Sequence, residues 1–229
     1  MIKASLQWLY ESVFLNESFD PEELDKIPLE IDVGNHIAYF RGLRSFMEQQ
    51  PDALDLGEGS SRVVYLVDFD KVIKVARNQN GLVQNETEVN VITHPRTARL
   101  LFADIYDYST KDYRWILSEY ARPLEDDEEF EKLAGFPLSL VVSFAGWGYE
   151  EGITAFMEQI EDMLDNPNIV VNFLVSLAAT IKATGLVVAA ELGTLKQWGV
   201  TKDNRVVIVD YGLDNETGKK LFGWKKHVR

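Results

Sequence analysis

Apolar positions along this chain change period several times, and each change predicts a different element. Leu6, Leu9, Tyr10, Val13 and Phe14 recur at helical spacing. After an acidic break over 16–28, a second stripe follows at Ile37, Phe40, Leu43, Phe46 and Met47. Residues 1–50 therefore read as two helices, a cap on the lobe that follows. From Leu56 to Ala76 the pattern becomes strand, glycine turn, strand, short acidic turn (Asp68-Phe69-Asp70), strand. A helix over about 82–93 and a strand over 113–120 complete a strand-rich lobe spanning 51–121. The run Glu125-Asp126-Asp127-Glu128-Glu129-Phe130-Glu131 reads as a solvated face or loop without a catalytic role.

Helical spacing returns at Ile153, Phe156, Met157, Ile160, Met163 and Leu164. Residues 168–184 carry Val171, Leu174, Val175, Leu177, Ala178 and Ile181, apolar enough for a buried central helix, with Gly185 as its stop. The last feature is a hairpin-like 198–205 followed by four β-branched residues, Val206-Val207-Ile208-Val209, ending in Asp210-Tyr211-Gly212. The fold class is α+β, with residues 122–229 forming a mainly helical second lobe that closes on a β-hairpin and a basic tail.

Composition narrows the function. At 229 residues and 46% hydrophobic, the chain can bury a substantial core. There is no cysteine, so disulfides and cysteine zinc sites are excluded. His36, His94 and His227 lie far apart, which disfavours a histidine metal site or triad. The longest apolar runs fall short of a membrane span, and the first residues lack the long apolar core of a signal peptide. A net charge of −14 argues against general nucleic-acid binding but not against a local nucleotide site.

Three local features carry chemistry. Gly57 and Gly59 remove two Cβ atoms where backbone could approach phosphate oxygens, and Ser60 and Ser61 add small hydroxyls. An ordinary hairpin would look the same. Lys74 lies among apolar strand neighbours, an expensive place for an ammonium without a partner, unless its strand is an edge that lets it reach water. Asp210 ends a buried strand, as metal-holding carboxylates of phosphoryl-transfer sites do and as ordinary Asp-x-Gly turns also do.

In this order the features resemble the protein-kinase-like superfamily. Leu56-Gly57-Glu58-Gly59-Ser60-Ser61-Arg62-Val63-Val64 is similar to its glycine-rich loop, Val72-Ile73-Lys74 to its third-strand lysine, and Asp210-Tyr211-Gly212 to its Asp-Phe-Gly. The Asn78-x-x-Gly81 and Gln84-Asn85-Glu86-Thr87-Glu88 segments, and Trp198-Gly199, resemble small kinase-like proteins of tailed bacteriophages and bacteria. The resemblance covers roughly residues 50–215 and implies a minimal two-lobed kinase-like fold with a helical N-terminal extension and a truncated second lobe.

It also implies ATP and Mg²⁺, with roles for particular residues. Gly57, Gly59, Ser60 and Ser61 would cover the phosphates, and Lys74 would contact them. Glu88 would orient Lys74; spacing alone leaves Glu86 as its rival. Glu119 and Ala121 would bind the adenine edge through backbone, with small Ser118 beside the pocket. Asp210 and Gln197 would hold metal.

The pattern frays at 189–199, where Leu192 stands at the place of the catalytic Asp and Gln197 at that of the metal-binding Asn. Glu191 is the nearby carboxylate that could serve as base, and Lys196 could steady the transferred phosphoryl. After Gly212 only 213–229 remain, without an Ala-Pro-Glu segment or peptide platform. The expectation is a cytoplasmic phosphotransferase (host cytoplasm if phage-encoded) acting on a protein or small-molecule hydroxyl. The alternative is a pseudokinase-type binding or structural module, and a third reading transfers AMP. Expected partners are a nucleotide and a protein substrate or binding partner, with neither nucleic acid nor membrane.

Overall fold

A computed structural model describes residues 19–29, 31–34, 37–144, 156, 158, 167–186, 192 and 194–212. The chain divides into two units, Met1–Glu86 with Ile105–Tyr120, and Thr87–Asp104 with Ala121–Arg229.

The first unit is built on a five-stranded antiparallel sheet ordered β3-β4-β5-β7-β6. Its strands are β3 (Leu54–Glu58), β4 (Arg62–Asp68), β5 (Lys71–Ala76), β6 (Ile105–Tyr108) and β7 (Trp115–Glu119). Side chains alternate across a strand, so Val63, Tyr65, Val67, Ile73, Val75, Trp115 and Leu117 share one face. That face packs with Leu24, Phe40, Leu43 and Met47 into one apolar cluster. Arg114 fastens the N-terminal side of this cluster. It is buried, donates to the Leu24 carbonyl at 3.0 Å and to the Ile27 carbonyl, and grips Asp112 through Nε at 2.8 Å and Nη2 at 2.5 Å. Burial alone would push the Asp112 carboxyl up; the Arg114 guanidinium wins and holds it below the ordinary carboxylate range. The Tyr65 phenol is pushed up to about 12, chiefly by burial.

The residues before the sheet differ from the helical stripe that the sequence suggests. Among the described residues there, a 3₁₀ turn spans Pro21–Lys26, β1 (Ile31–Gly34) pairs antiparallel with β2 (Ile37–Phe40), and α1 (Arg41–Met47) is an α-helix. Ile37 and Phe40 fit a helical stripe, but Ile-Ala-Tyr-Phe is also a β-branched and aromatic run that fits a strand. The first predicted helix, at Leu6–Phe14 in the stripe, lies outside the described residues, as does most of the stripe at 153–164.

Helix α2 (Gln79–Thr93) begins three residues earlier than its apolar pattern suggests, because Asn78 caps it. The Asn78 Oδ1 accepts from the amides of Asn80 at 3.0 Å and Gly81 at 3.2 Å.

In the second unit, a three-stranded sheet is ordered β10-β9-β8, from β8 (Arg122–Pro123), β9 (Trp198–Val200) and β10 (Val206–Ile208). The acidic run is the start of a helix: Asp126 caps α3 (Asp127–Ala134), accepting from the Glu129 amide at 2.8 Å. Three acids in its first turn complement the helix dipole. Hydrogen bonds from Arg122, then the Glu125 amide, hold the half-buried Glu129 carboxyl down at about 2. Helix α4 (Leu138–Ser143) and helix α5 (Pro167–Thr184) follow. Val170, Leu174, Leu177 and Ile181 form the buried stripe of α5, and Gly185 ends it with φ +73° and an amide bond to the Ile181 carbonyl. Among the described residues no helix is long and apolar enough to cross a membrane.

Candidate functional site

Lys74 is the residue from which the candidate site is best read. It pairs with Val64 of β4 on one side and Ile116 of β7 on the other, so its strand is central and the edge-strand explanation fails. Only 7% of it is exposed. Alternation puts its side chain on the sheet face opposite the apolar cluster, with Val72, Ile116 and Ser118. A buried cation on that face is costly unless the face handles charge. Ser118, directly opposite Val72, is 1% exposed, and its Oγ has no hydrogen-bond partner among the described residues. A hydroxyl orphaned beside a buried lysine suits a polar ligand better than a sealed core.

The glycine turn between β3 and β4 is held from below by α2. Gly57 has φ +137°, and a side chain there would meet nothing within 4 Å. Its amide is taken by Asp55 Oδ1 at 2.8 Å, at a bulge in the β3–β4 pairing. Gly59 donates to the Arg62 carbonyl at 2.8 Å, and the exposed Ser60 gives its carbonyl to Asn78 Nδ2 at 2.9 Å. Ser61 is buried with its hydroxyl on Gln84, so that hydroxyl fastens the turn to the helix. Gly81 makes the approach possible: a Cβ there would lie 2.2 Å from the Ser61 carbonyl oxygen and 2.9 Å from the Ala76 Cα. Asn85 extends the support, accepting from Arg62 at 3.3 Å and donating to the Tyr113 carbonyl at 2.8 Å. Asn78, Gly81, Gln84 and Asn85 are thus the turn's framework. The sequence signals them through the Asn78-x-x-Gly81 and 84–88 segments of the resemblance, without showing what they hold.

Farther along α2, Glu88 is fully buried while Glu86 is exposed, as their separation of two residues on a helix requires. Glu119 ends β7 in a buried position, and Ala121 opens the second segment of the second unit.

In the second unit, Gln197 and Asp210 come together. Gln197 closes a 3₁₀ turn (Leu195–Gln197), and its carbonyl accepts from the Val209 amide at 2.8 Å, one residue before Asp210. Asp210 is fixed from both sides. The Ile208 carbonyl accepts from the Ala103 amide at 3.0 Å, and Tyr211, in edge contact with Phe102 at 4.8 Å, donates its hydroxyl to the Ala103 carbonyl at 3.0 Å. Lys196 is exposed. Leu192 is 1% exposed, and its carbonyl accepts the Trp198 indole N–H at 2.9 Å. Trp198 packs edge-on against Phe130 at 5.2 Å. Gly199 lets β9 lie against β8: a Cβ there would meet the Ala121 Cβ at 2.8 Å and the Ala121 and Arg122 carbonyls at 3.0 Å. Glu191 lies outside the described residues.

Asp210 and Gln197 offer hard oxygen donors, a set that suits Mg²⁺ completed by water and phosphate. Among the described residues no cluster of three histidine, cysteine or acidic side chains could hold a metal.

No family model and no curated protein matches the chain. Two solved structures that superpose on it are a ternary complex of APH(2")-IIa with streptomycin and ATP, and a complex of APH(2")-IIia with GDP and kanamycin. The first is 11% identical, covers 74% of this chain and 69% of its own, and has a TM-score of 0.36. The second is 14% identical, covers 73% and 70%, and has a TM-score of 0.33. Scores this low lie below the level at which two folds are taken as the same.

Proposed function

We propose that the chain is a kinase-like phosphotransferase that uses ATP and Mg²⁺ and acts on a hydroxyl of a small molecule or protein. The observation that carries this reading is Lys74, buried in a central strand on the sheet face that the apolar cluster leaves unused. An ammonium there suits the α- and β-phosphates of a nucleotide. Gly57 and Gly59 leave the turn bare of side chains where phosphate oxygens approach, and the Asn78–Gly81 framework holds it in place. Ser118 Oγ and the backbone of Glu119 and Ala121 serve the base. Glu88, buried, is the acid assigned to orient Lys74.

Asp210 and Gln197 would hold Mg²⁺, which supplies charge neutralisation at the phosphates when bound. The pinned neighbours of Asp210 hold its backbone in place, and positioning is most of what phosphoryl transfer asks of a protein. Glu191 takes the proton from the acceptor hydroxyl, and Lys196 steadies the transferred group.

One observation favours the second reading, a pseudokinase-type binding module. Leu192 stands at the usual place of the base, and it is buried with its carbonyl spent on Trp198. Incubation with γ-labelled and α-labelled ATP plus Mg²⁺ separates the readings. Transfer of the γ-label supports the phosphotransferase. Transfer of the α-label means AMP transfer, and retention of both labels on ATP leaves the binding module.

A further inference from the structure

A pocket of about 320 Å³ opens on the first unit among Phe40, Arg41, Arg44, Ser45 and Arg77. Three of its five lining residues are arginines and none is acidic, on a chain whose net charge is −14. Two carboxylates reach the arginines from outside. Arg44 Nε meets Glu48 at 2.7 Å, and Arg44 Nη1 meets Glu58 Oε2 at 2.7 Å. Arg77 Nη2 lies 3.6 Å from the same Glu58 oxygen, and Arg77 Nη1 donates to the Gly59 carbonyl at 2.5 Å. Glu58 and Gly59 belong to the glycine turn. Two of the three arginines that line the pocket, Arg44 and Arg77, are therefore also the latch that ties the turn to α1.

Guanidinium forks match the oxygens of phosphate, and three of them in one pocket favour a dianion over a carboxylate. Ser45 adds a hydroxyl donor, and Phe40 gives the pocket an apolar wall for the ligand's organic part. The volume suits a small molecule. We propose that this pocket binds a small phosphomonoester, and that its phosphate draws Arg44 and Arg77 away from Glu58 and so loosens the glycine turn. The site lies on residues that the phosphotransferase reading does not use, so it stands whether or not the chain transfers phosphate.

The probe is phenyl phosphate, titrated calorimetrically at low ionic strength into the full chain, its Arg41→Gln variant and its Lys74→Ala variant. Arg41 is exposed, and an unchanged far-ultraviolet spectrum and melting temperature certify that its variant keeps the fold. Binding at millimolar concentration is expected to persist in Lys74→Ala and to weaken about tenfold or more in Arg41→Gln, the worth of one charge-assisted hydrogen bond. Amide exchange over 57–61 should quicken when the probe is bound to the wild type. Failure of the wild type to bind, or binding lost in Lys74→Ala and kept in Arg41→Gln, overturns the site. Binding with unchanged exchange over 57–61 overturns the coupling to the turn.

Discussion

Gly81→Ala tests the packing of α2 beneath the glycine turn, because two effects of opposite sign meet at that residue. In a solvent-exposed helix, alanine is preferred to glycine by about 1 kcal/mol. Here the added methyl would sit 2.2 Å from the Ser61 carbonyl oxygen and 2.9 Å from the Ala76 Cα, both backbone atoms that cannot swing aside as a side-chain end could. The Ser61 carbonyl is also committed, accepting from the Arg77 amide at 2.8 Å. Overpacking of this kind costs about 1–3 kcal/mol, and contact with backbone puts it at or beyond the upper end. After the helix gain is subtracted, a net loss of about 2 kcal/mol remains. For a chain of this size that corresponds to a fall in Tm of roughly 4–8 °C. Calorimetry or far-ultraviolet circular dichroism reads it directly. A Tm equal to or above that of the wild type would mean that propensity alone governs Gly81 and that the turn does not rest on α2.

Gly199→Ala should destabilise by about 1–3 kcal/mol, since its methyl meets the Ala121 and Arg122 carbonyls at 3.0 Å; a denaturant midpoint that does not move refutes the close approach of β8 and β9. Tyr65→Phe should be neutral or slightly stabilising at neutral pH, because the buried hydroxyl has no partner among the described residues. The phenol's folded value, about 12 against 10.0, is raised, so its stabilisation is complete below pH 10 and is lost as pH climbs toward 12. The wild type should therefore weaken relative to Tyr65→Phe only above pH 10, by up to roughly 2–3 kcal/mol, and parallel pH profiles would contradict the burial of the hydroxyl. Arg114→Ala should cost about 3–5 kcal/mol in a urea titration, as breaking a buried pair does, and a loss under 1 kcal/mol would show that Arg114 does not anchor the Pro21–Lys26 turn. Asp112, held low by Arg114, contributes stability above the ordinary carboxylate value that is lost as pH falls through its depressed one, a dependence the variant should lack.

The legible parts of the sequence were those where pattern and chemistry agree locally. The short β-branched and apolar runs on either side of the acidic turn at 68–70 favour strands, and Gly185 reads as a helix stop because a left-handed position calls for glycine. Lys74 stood out because an ammonium among apolar strand residues is a local contradiction; that β5 is central came from long-range pairing, which no local pattern contains. The β1–β2 pairing is hidden in the sequence because Ile37, Phe40 and Leu43 satisfy a helical period until strand pairing overrides it. Ser61 shows the opposite limit. Its small hydroxyl suits a phosphate in sequence, yet its use depends on Gln84, twenty-three residues away on α2. The arginine pocket had no sequence signal at all, since Arg41, Arg44 and Arg77 meet only through the packing of α1 beside the end of β5.

In the proposed phosphotransferase reading, Lys74 meets the nucleotide's phosphates and Asp210 its Mg²⁺. Isothermal titration of ATP, with and without Mg²⁺, into the wild type, Lys74→Ala and Asp210→Ala tests it most directly. The expected result is binding by the wild type that Mg²⁺ strengthens, weakened binding in Lys74→Ala with or without the metal, and loss of the Mg²⁺-dependent part alone in Asp210→Ala. Absence of ATP binding by the wild type at millimolar Mg·ATP, or equal binding by all three proteins, would contradict it.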